Sequence, residues 1–265
     1  MNKTIRELIA TTNLDKIETK VLLRHALNLS PSELIMVNDK LLKEEELNKF
    51  NQLLQKRLLG IPIHYILGYK EFYSRDFQVT ADTLIPRPET ELLIDEVLKI
   101  ASPQNKILDL GTGTGCIAIT CKLELLSLDI TAVDKFKNTL NVARSNATNL
   151  NAEIDFIESD WYECVTGKFN IIISNPPYIE KNDPYLLDLQ YEPQHALTDF
   201  DNGLKHYEKI ISRAPNYLSN NGHLVLEHGY MQKNAITKIL QDNGFKSIRT
   251  IQDYANLDRI TIAQI

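Results

Sequence analysis

Between residues 106 and 134 the chain changes period in a way that few folds accommodate. Lys106-Ile107-Leu108-Asp109-Leu110 is an apolar run of the kind that forms a buried strand. It passes at once into Gly111-Thr112-Gly113-Thr114-Gly115 and then into an apolar stretch at 116–123, after which a second strand at 128–133 ends in Asp134. Strand, glycine turn, helix and strand make the unit of a parallel sheet covered by helices, whose ligand site lies at the carboxyl ends of the strands. Further strands are predicted at 154–157, ending near Asp160-Trp161, at 169–173, and at 222–227 after a helix at 203–216. A closing pair at 245–251 and 259–263 brings the count to seven. The expected fold is therefore α/β, a doubly wound, mostly parallel seven-stranded sheet of Rossmann-like type.

The front of the chain has a different period. From residue 5 to about 60 the apolar residues recur at helical spacing. The clearest case is 43–59, where Leu47, Phe50, Leu54 and Leu58 share one face and Gly60 supplies the stop. Ser30 is a predicted cap with Pro31 at the first helical position. Two aromatic arms, at 71–73 and 77–79, flank Ser74-Arg75-Asp76 and predict a hairpin turning there. Leu84-Ile85-Pro86-Arg87-Pro88-Glu89-Thr90-Glu91 then closes a linker and opens a helix running to about residue 100. The expected division is a small all-helical domain at 1–68, a hairpin linker at 69–86 and a catalytic domain at 87–265; 265 residues suffice for two cores.

Composition narrows the function classes. The net charge of −6 argues against a broad nucleic-acid surface, and it is uneven: residues 1–80 hold 12 Lys/Arg and 10 Asp/Glu, the remainder 17 against 25. Charges at Lys3, Arg6 and Glu7 stand where a signal peptide would place apolar residues, and no stretch reaches membrane-spanning length, so a cytoplasmic protein is expected. Cys116, Cys121, Cys164 and six scattered histidines show no ligand spacing, and no metal is expected.

A glycine turn lets a ligand approach the backbone closely, and an acid ending the next strand accepts the hydroxyls of a ribose. Gly111 and Asp134 occupy these places. Dinucleotide sites want glycine or alanine where Cys116 stands, and here the glycines alternate at Gly111, Gly113 and Gly115. That pattern favours S-adenosylmethionine, which has a ribose and an adenine but no pyrophosphate. The candidate cofactor residues are Gly111, Thr112, Gly113, Thr114, Gly115, Asp134, Asp160, Trp161 and Asn175, with Asp160 and Trp161 as acceptor and packing group for adenine. After the run Ile171-Ile172-Ile173 comes Asn175-Pro176-Pro177-Tyr178, a stiff loop poor in donors. The Asn175 side-chain oxygen and the Pro176 carbonyl are acceptors suited to a substrate NH2 group.

Taken with the motif at 84–91, the turn at 109–115, Leu226-Glu227-His228-Gly229, and Asp253-Tyr254 with Arg259, that loop resembles the family of release-factor glutamine methyltransferases over nearly the whole chain. The resemblance implies the class I S-adenosylmethionine-dependent fold and, as substrate, the glutamine of the Gly-Gly-Gln loop in class I peptide-chain release factors. It also implies that Asn175, Pro176, Pro177 and Tyr178 hold that glutamine, with Asn175, Pro176 and Tyr178 catalytic. A monomer acting on a protein, with no membrane and no nucleic acid, is expected. Two other readings answer to the same loop: methylation of the exocyclic amine of adenine, and a cofactor-binding interaction module without chemistry. Arg87, Glu89 and Glu227 receive no role from the sequence.

Overall fold

The structure is a computed structural model and describes residues 3–265. The chain forms two compact units, one ending at Tyr69 and the other running from Lys70 to Ile265.

The first unit contains five helices among its described residues: α1 (Ile5–Thr11), α2 (Lys16–Leu27), α3 (Pro31–Met36), α4 (Glu44–Leu58) and α5 (Ile63–Leu67). Their starts follow from local chemistry. Thr4 with Glu7 and Ser30 with Glu33 form reciprocal capping boxes, Asp15 accepts from Ile17 N and Glu18 N, and Pro31 opens α3. Ile5, Leu22, Leu23, Leu42 and Phe50 make a fully buried core. Leu47 and Leu54 pack against it, but Leu58, expected on the same face, is largely exposed at the end of α4.

A hairpin, β1 (Tyr69–Phe72) and β2 (Arg75–Gln78), follows, its first residue being the last of the first unit. Its turn is Tyr73-Ser74, both at positive φ (50° and 59°), so Arg75 and Asp76 belong to the second strand rather than to the turn predicted for them. Phe72 and Phe77, edge to face at 5.9 Å, anchor the hairpin in the core. A single 3₁₀ turn (Pro88–Thr90) leads into α6 (Glu91–Ile100).

The order is then β3 (Lys106–Leu110), α7 (Cys116–Glu124), β4 (Asp129–Asp134), α8 (Lys137–Leu150), β5 (Asp155–Glu158), β6 (Phe169–Ser174), α9 (Lys205–Arg213), β7 (Leu218–Glu227), α10 (Lys233–Asp242), β8 (Lys246–Gln252) and β9 (Asp258–Gln264). The seven strands form one sheet in the order β5-β4-β3-β6-β7-β9-β8; the first five are parallel neighbours and β9 runs antiparallel to both β7 and β8. The chain winds outward from β3 to β5 and then returns to the other side of β3 as β6. The direction of winding reverses between β3 and β6, and a crevice opens where their connections diverge. Leu110 lies opposite Val133 and Ser174, and Ser174 opposite Leu226. The segments leaving these strands, headed by Gly111, Asp134, Asn175 and Glu227, therefore emerge side by side. Leu108, Leu110, Ile172, Leu224 and Leu226 fill one face of the sheet, and Ile107, Ile171, Ile173 and Val225 the other. Among the described residues no helix is long and apolar enough to cross a membrane.

Candidate functional site

A cavity of about 460 Å³ opens at the carboxyl ends of β3, β4 and β6. Its wall includes the expected Gly111, Thr112, Gly113, Thr114, Asp134, Asp160, Trp161, Asn175 and Pro177, together with Pro86, Arg87, Thr90, Phe136, His195 and His206, to which the sequence assigns no role. Gly115, Pro176 and Tyr178 do not line it.

The three glycines do different work. Gly111 N and Thr112 N both donate to the Val133 carbonyl at 2.9 Å, which ties the turn to β4. A Cβ on Gly111 would meet the Trp161 ring at 3.4 Å. A Cβ on Gly115 would stand 2.9 Å from Ile119 Cδ1 and 3.3 Å from Ala143 Cβ, so this glycine lets α7 and α8 pack closely. Gly113, at φ +57°, has nothing within 4 Å of the same position. It is the one whose missing side chain leaves open space at the cavity.

Two acids brace the turn. The Thr112 hydroxyl donates to Asp109 Oδ2 at 2.6 Å, and burial pushes the Asp109 carboxyl up to about 7. Asp134 accepts from Gly113 N and Phe136 N, each at 3.0 Å, and burial raises its pKa above the usual carboxylate range. The ring of Phe136 lies 3.9 Å from that of His195 between centroids. Phe136 follows Asp134 by two residues, just beyond the predicted strand end, a signal that could have nominated it.

At the end of β5, Asp160 is clasped by Lys135 at 2.8 Å and Lys209 at 2.9 Å, one lysine on each carboxylate oxygen. Burial raises its pKa, but the two ammonium groups outweigh this and hold it below the usual range. Trp161 adopts φ +55° and sets its ring against Gly111 on one side and His206, 5.2 Å away, on another. A group seeking an acceptor here meets a carboxylate already shared by two cations.

At the end of β6 the Ser174 hydroxyl donates to the Leu110 carbonyl at 2.7 Å. Asn175 Nδ2 donates to Thr90 Oγ1 at 3.3 Å. The Tyr178 carbonyl accepts from Gln232 Nε2 at 3.0 Å and Ile179 N donates to the Leu197 carbonyl at 2.9 Å, so the loop is pinned on its far side. Burial drives the Tyr178 phenol far above its ordinary range. Arg87, undecided from sequence, is held at 2.6 Å by the buried Glu192, whose other oxygen accepts from Ile85 N at 3.0 Å. Nothing local in the sequence marks Glu192 as the partner of a residue 105 positions away.

The residues present suit a nucleoside. The cavity combines the open space at Gly113, an acid at a strand end for vicinal hydroxyls, and the aromatic faces of Phe136 and Trp161.

Comparison with known proteins gives a consistent picture. The Methyltransferase small domain family matches residues 88–187, and the PrmC N-terminal domain family matches residues 2–68. The release factor glutamine methyltransferase of Vibrio cholerae is 42% identical over 256 residues, covering 94% of this chain and 89% of its own length. Its namesake in Haemophilus influenzae is 40% identical over 268 residues, covering 95% and 92%. Among solved structures, a methyltransferase from Pyrococcus furiosus superposes with a TM-score of 0.57 at 16% identity, over 82% of this chain and 98% of that one. The T. thermophilus 16S rRNA N2 G1207 methyltransferase, solved with AdoMet and guanosine, gives 0.54 at 15% identity over 74% and 49%. These last two likenesses speak to the fold.

Proposed function

The chain belongs to the release factor glutamine methyltransferase family, and from that premise we propose that it methylates the side-chain amide nitrogen of the glutamine in the Gly-Gly-Gln motif of class I peptide-chain release factors. The methyl donor is S-adenosylmethionine, which when bound supplies an electrophilic methyl group on a sulfonium. Gly111, Thr112, Gly113 and Thr114, with Asp134, Asp160, Trp161 and Asn175, would hold it, while Gly115 would act indirectly by letting α7 and α8 pack closely.

One observation carries the reading: Asn175 stands next to the glycine turn, because Ser174 is in register with Leu110. An amide nitrogen is a poor nucleophile, and the loop Asn175-Pro176-Pro177-Tyr178 contains no histidine, cysteine or lysine to act as a base. Positioning and electrostatics must do the work. In this reading Asn175 Oδ1 and the Pro176 carbonyl accept the two hydrogens of the incoming amide, directing its nitrogen into the cavity and favouring the positive charge that it gains. One proton then leaves to water. Tyr178 packs beside the amide and Pro177 walls the cavity. A glutamate would face the same acceptors without donors, and each unpaired buried acceptor costs about 1–3 kcal/mol.

The helical part at 1–68 is assigned to partner recognition, 69–86 to the linker and 87–265 to methyl transfer. The protein is read as a cytoplasmic monomer that engages a protein and needs no direct nucleic-acid contact. The test is to incubate it with S-adenosylmethionine and, separately, a release factor, a glutamine tripeptide and adenine oligonucleotides, and to map methyl groups by mass spectrometry. Methyl on the Gly-Gly-Gln glutamine is expected. Methyl on adenine alone would replace this reading with base methylation, and cofactor binding without any product would leave a binding module.

A further inference from the structure

Glu227 ends β7, and the register that sets Leu226 opposite Ser174 brings Glu227 alongside Asn175. It is 1% exposed and absent from the cavity wall, so it touches nothing that enters there. The Thr90 hydroxyl and the Asn175 side chain lie beside its carboxylate and draw its pKa down, while one oxygen, Oε2, has no hydrogen-bond partner among the described residues. An isolated buried carboxylate is costly, and apolar packing here would need no charge at all.

In its ionised form the carboxylate accepts and never donates, so it favours the amino nitrogen as the Asn175 atom turned toward it. The Thr90 hydroxyl accepts from Asn175 Nδ2 at 3.3 Å, which leaves its one hydrogen available to the neighbouring carboxylate. The Asn175 amino group is thereby flanked by acceptors on two other segments. We propose that Glu227 is a positioning residue for methyl transfer: acting with Thr90, it holds the Asn175 amino group so that Oδ1 is the Asn175 atom presented to an incoming amide NH2. This fixes the amide in the one flip that accepts from a substrate nitrogen; the opposite flip would present two donors to two donors. Burial pushes the Glu227 carboxyl up to about 7, and the hydrogen bonds from Thr90 and Asn175 work in the other direction.

The proposal rests on the reading of Asn175 as the substrate acceptor, and the test separates the two. Full-length Glu227→Gln, Thr90→Val, Thr90→Ser, Asn175→Ala and the double variant Glu227→Gln/Asn175→Ala are compared by steady-state kinetics with a release factor, calorimetric binding of S-adenosylmethionine, and thermal denaturation. Glutamine can turn an NH2 group toward Asn175 and so removes the constraint on its flip. The expected result is a fall in kcat of about 100-fold for Glu227→Gln and for Thr90→Val, with the cofactor Kd within about threefold of wild type for Glu227→Gln, whose residue lies outside the cavity wall. Thr90→Ser should recover most of what Thr90→Val loses, and Glu227→Gln should add little further loss to Asn175→Ala. If Asn175→Ala is inactive while folded Glu227→Gln turns over within about threefold of wild type, the positioning role is overturned and the Asn175 reading stands. A folded Glu227→Gln that weakens cofactor binding and spares kcat also overturns it. If Asn175→Ala itself turns over normally, the Asn175 reading falls and this proposal with it. Should Glu227→Gln fail to fold, Thr90→Val decides by the same criteria.

Discussion

Ser174 and Leu110 face each other across adjacent parallel strands, and the buried Ser174 hydroxyl donates to the Leu110 carbonyl at 2.7 Å. That bond ties the last residue before the glycine turn to the last residue before Asn175. Ser174→Ala removes it and leaves a buried carbonyl one partner short, so a loss of about 1 kcal/mol is expected. Denaturant unfolding would measure it. An unchanged midpoint would show that the strand ladder alone holds the two loops in register.

Asn175→Ala is expected to lower turnover by about 100-fold or more, with cofactor affinity reduced but measurable, because the substrate acceptor goes while most of the cavity wall stays. Single-turnover methylation of a release factor, set beside a cofactor titration, separates the two effects. Near-normal turnover would remove Asn175 from the chemistry.

The glycines should separate by phenotype. Gly115→Ala places a methyl 2.9 Å from Ile119 Cδ1 at φ +80°, so its main effect should be lost stability. Gly113→Ala meets nothing within 4 Å and bears only its left-handed backbone, a cost of about 1–2 kcal/mol, while its methyl enters the space left for ligand. Weaker cofactor binding should therefore dominate for Gly113→Ala. Paired melting curves and binding isotherms check this, and the reverse ordering would contradict the assignment.

The contribution of Asp109 and Glu227 to the stability of the free protein should fall as pH rises from about 5 to 8. Burial places the carboxyls of Asp109 and Glu227 at about 7, above their ordinary 3.8 and 4.5. The folded state then holds these protons more tightly than the unfolded chain, so the stabilisation is complete below the ordinary values and is lost as pH rises through 7. Each group contributes on the order of 3 kcal/mol to this slope. Unfolding free energies across that range would show it, and Asp109→Asn should flatten the curve. An Asp109→Asn curve that falls as steeply as the wild type would refute it.

The sequence by itself determined which segments are helices and strands, their order, and the caps and glycine turn that bound them. These depend on contacts within a few residues, where periodicity and side-chain chemistry act directly. Ser30 with Pro31 and Glu33, or the alternating glycines before Cys116, behave as their local rules require. Even locally, two near-equivalent choices were resolved by packing: the hairpin turns at Tyr73-Ser74, which lets Phe72 and Phe77 both reach the core, and Leu58 swings outward at the end of α4. Only the tertiary structure decided partnership. Asp160 faces two lysines, Arg87 meets Glu192 across 105 residues, and Asn175 meets Thr90 across 85. A carboxylate or an amide accepts many partners equally well in isolation. Which one it receives is set by the strand order that brings β3, β6 and β7 side by side, and that order is a property of the closed sheet rather than of any stretch of sequence.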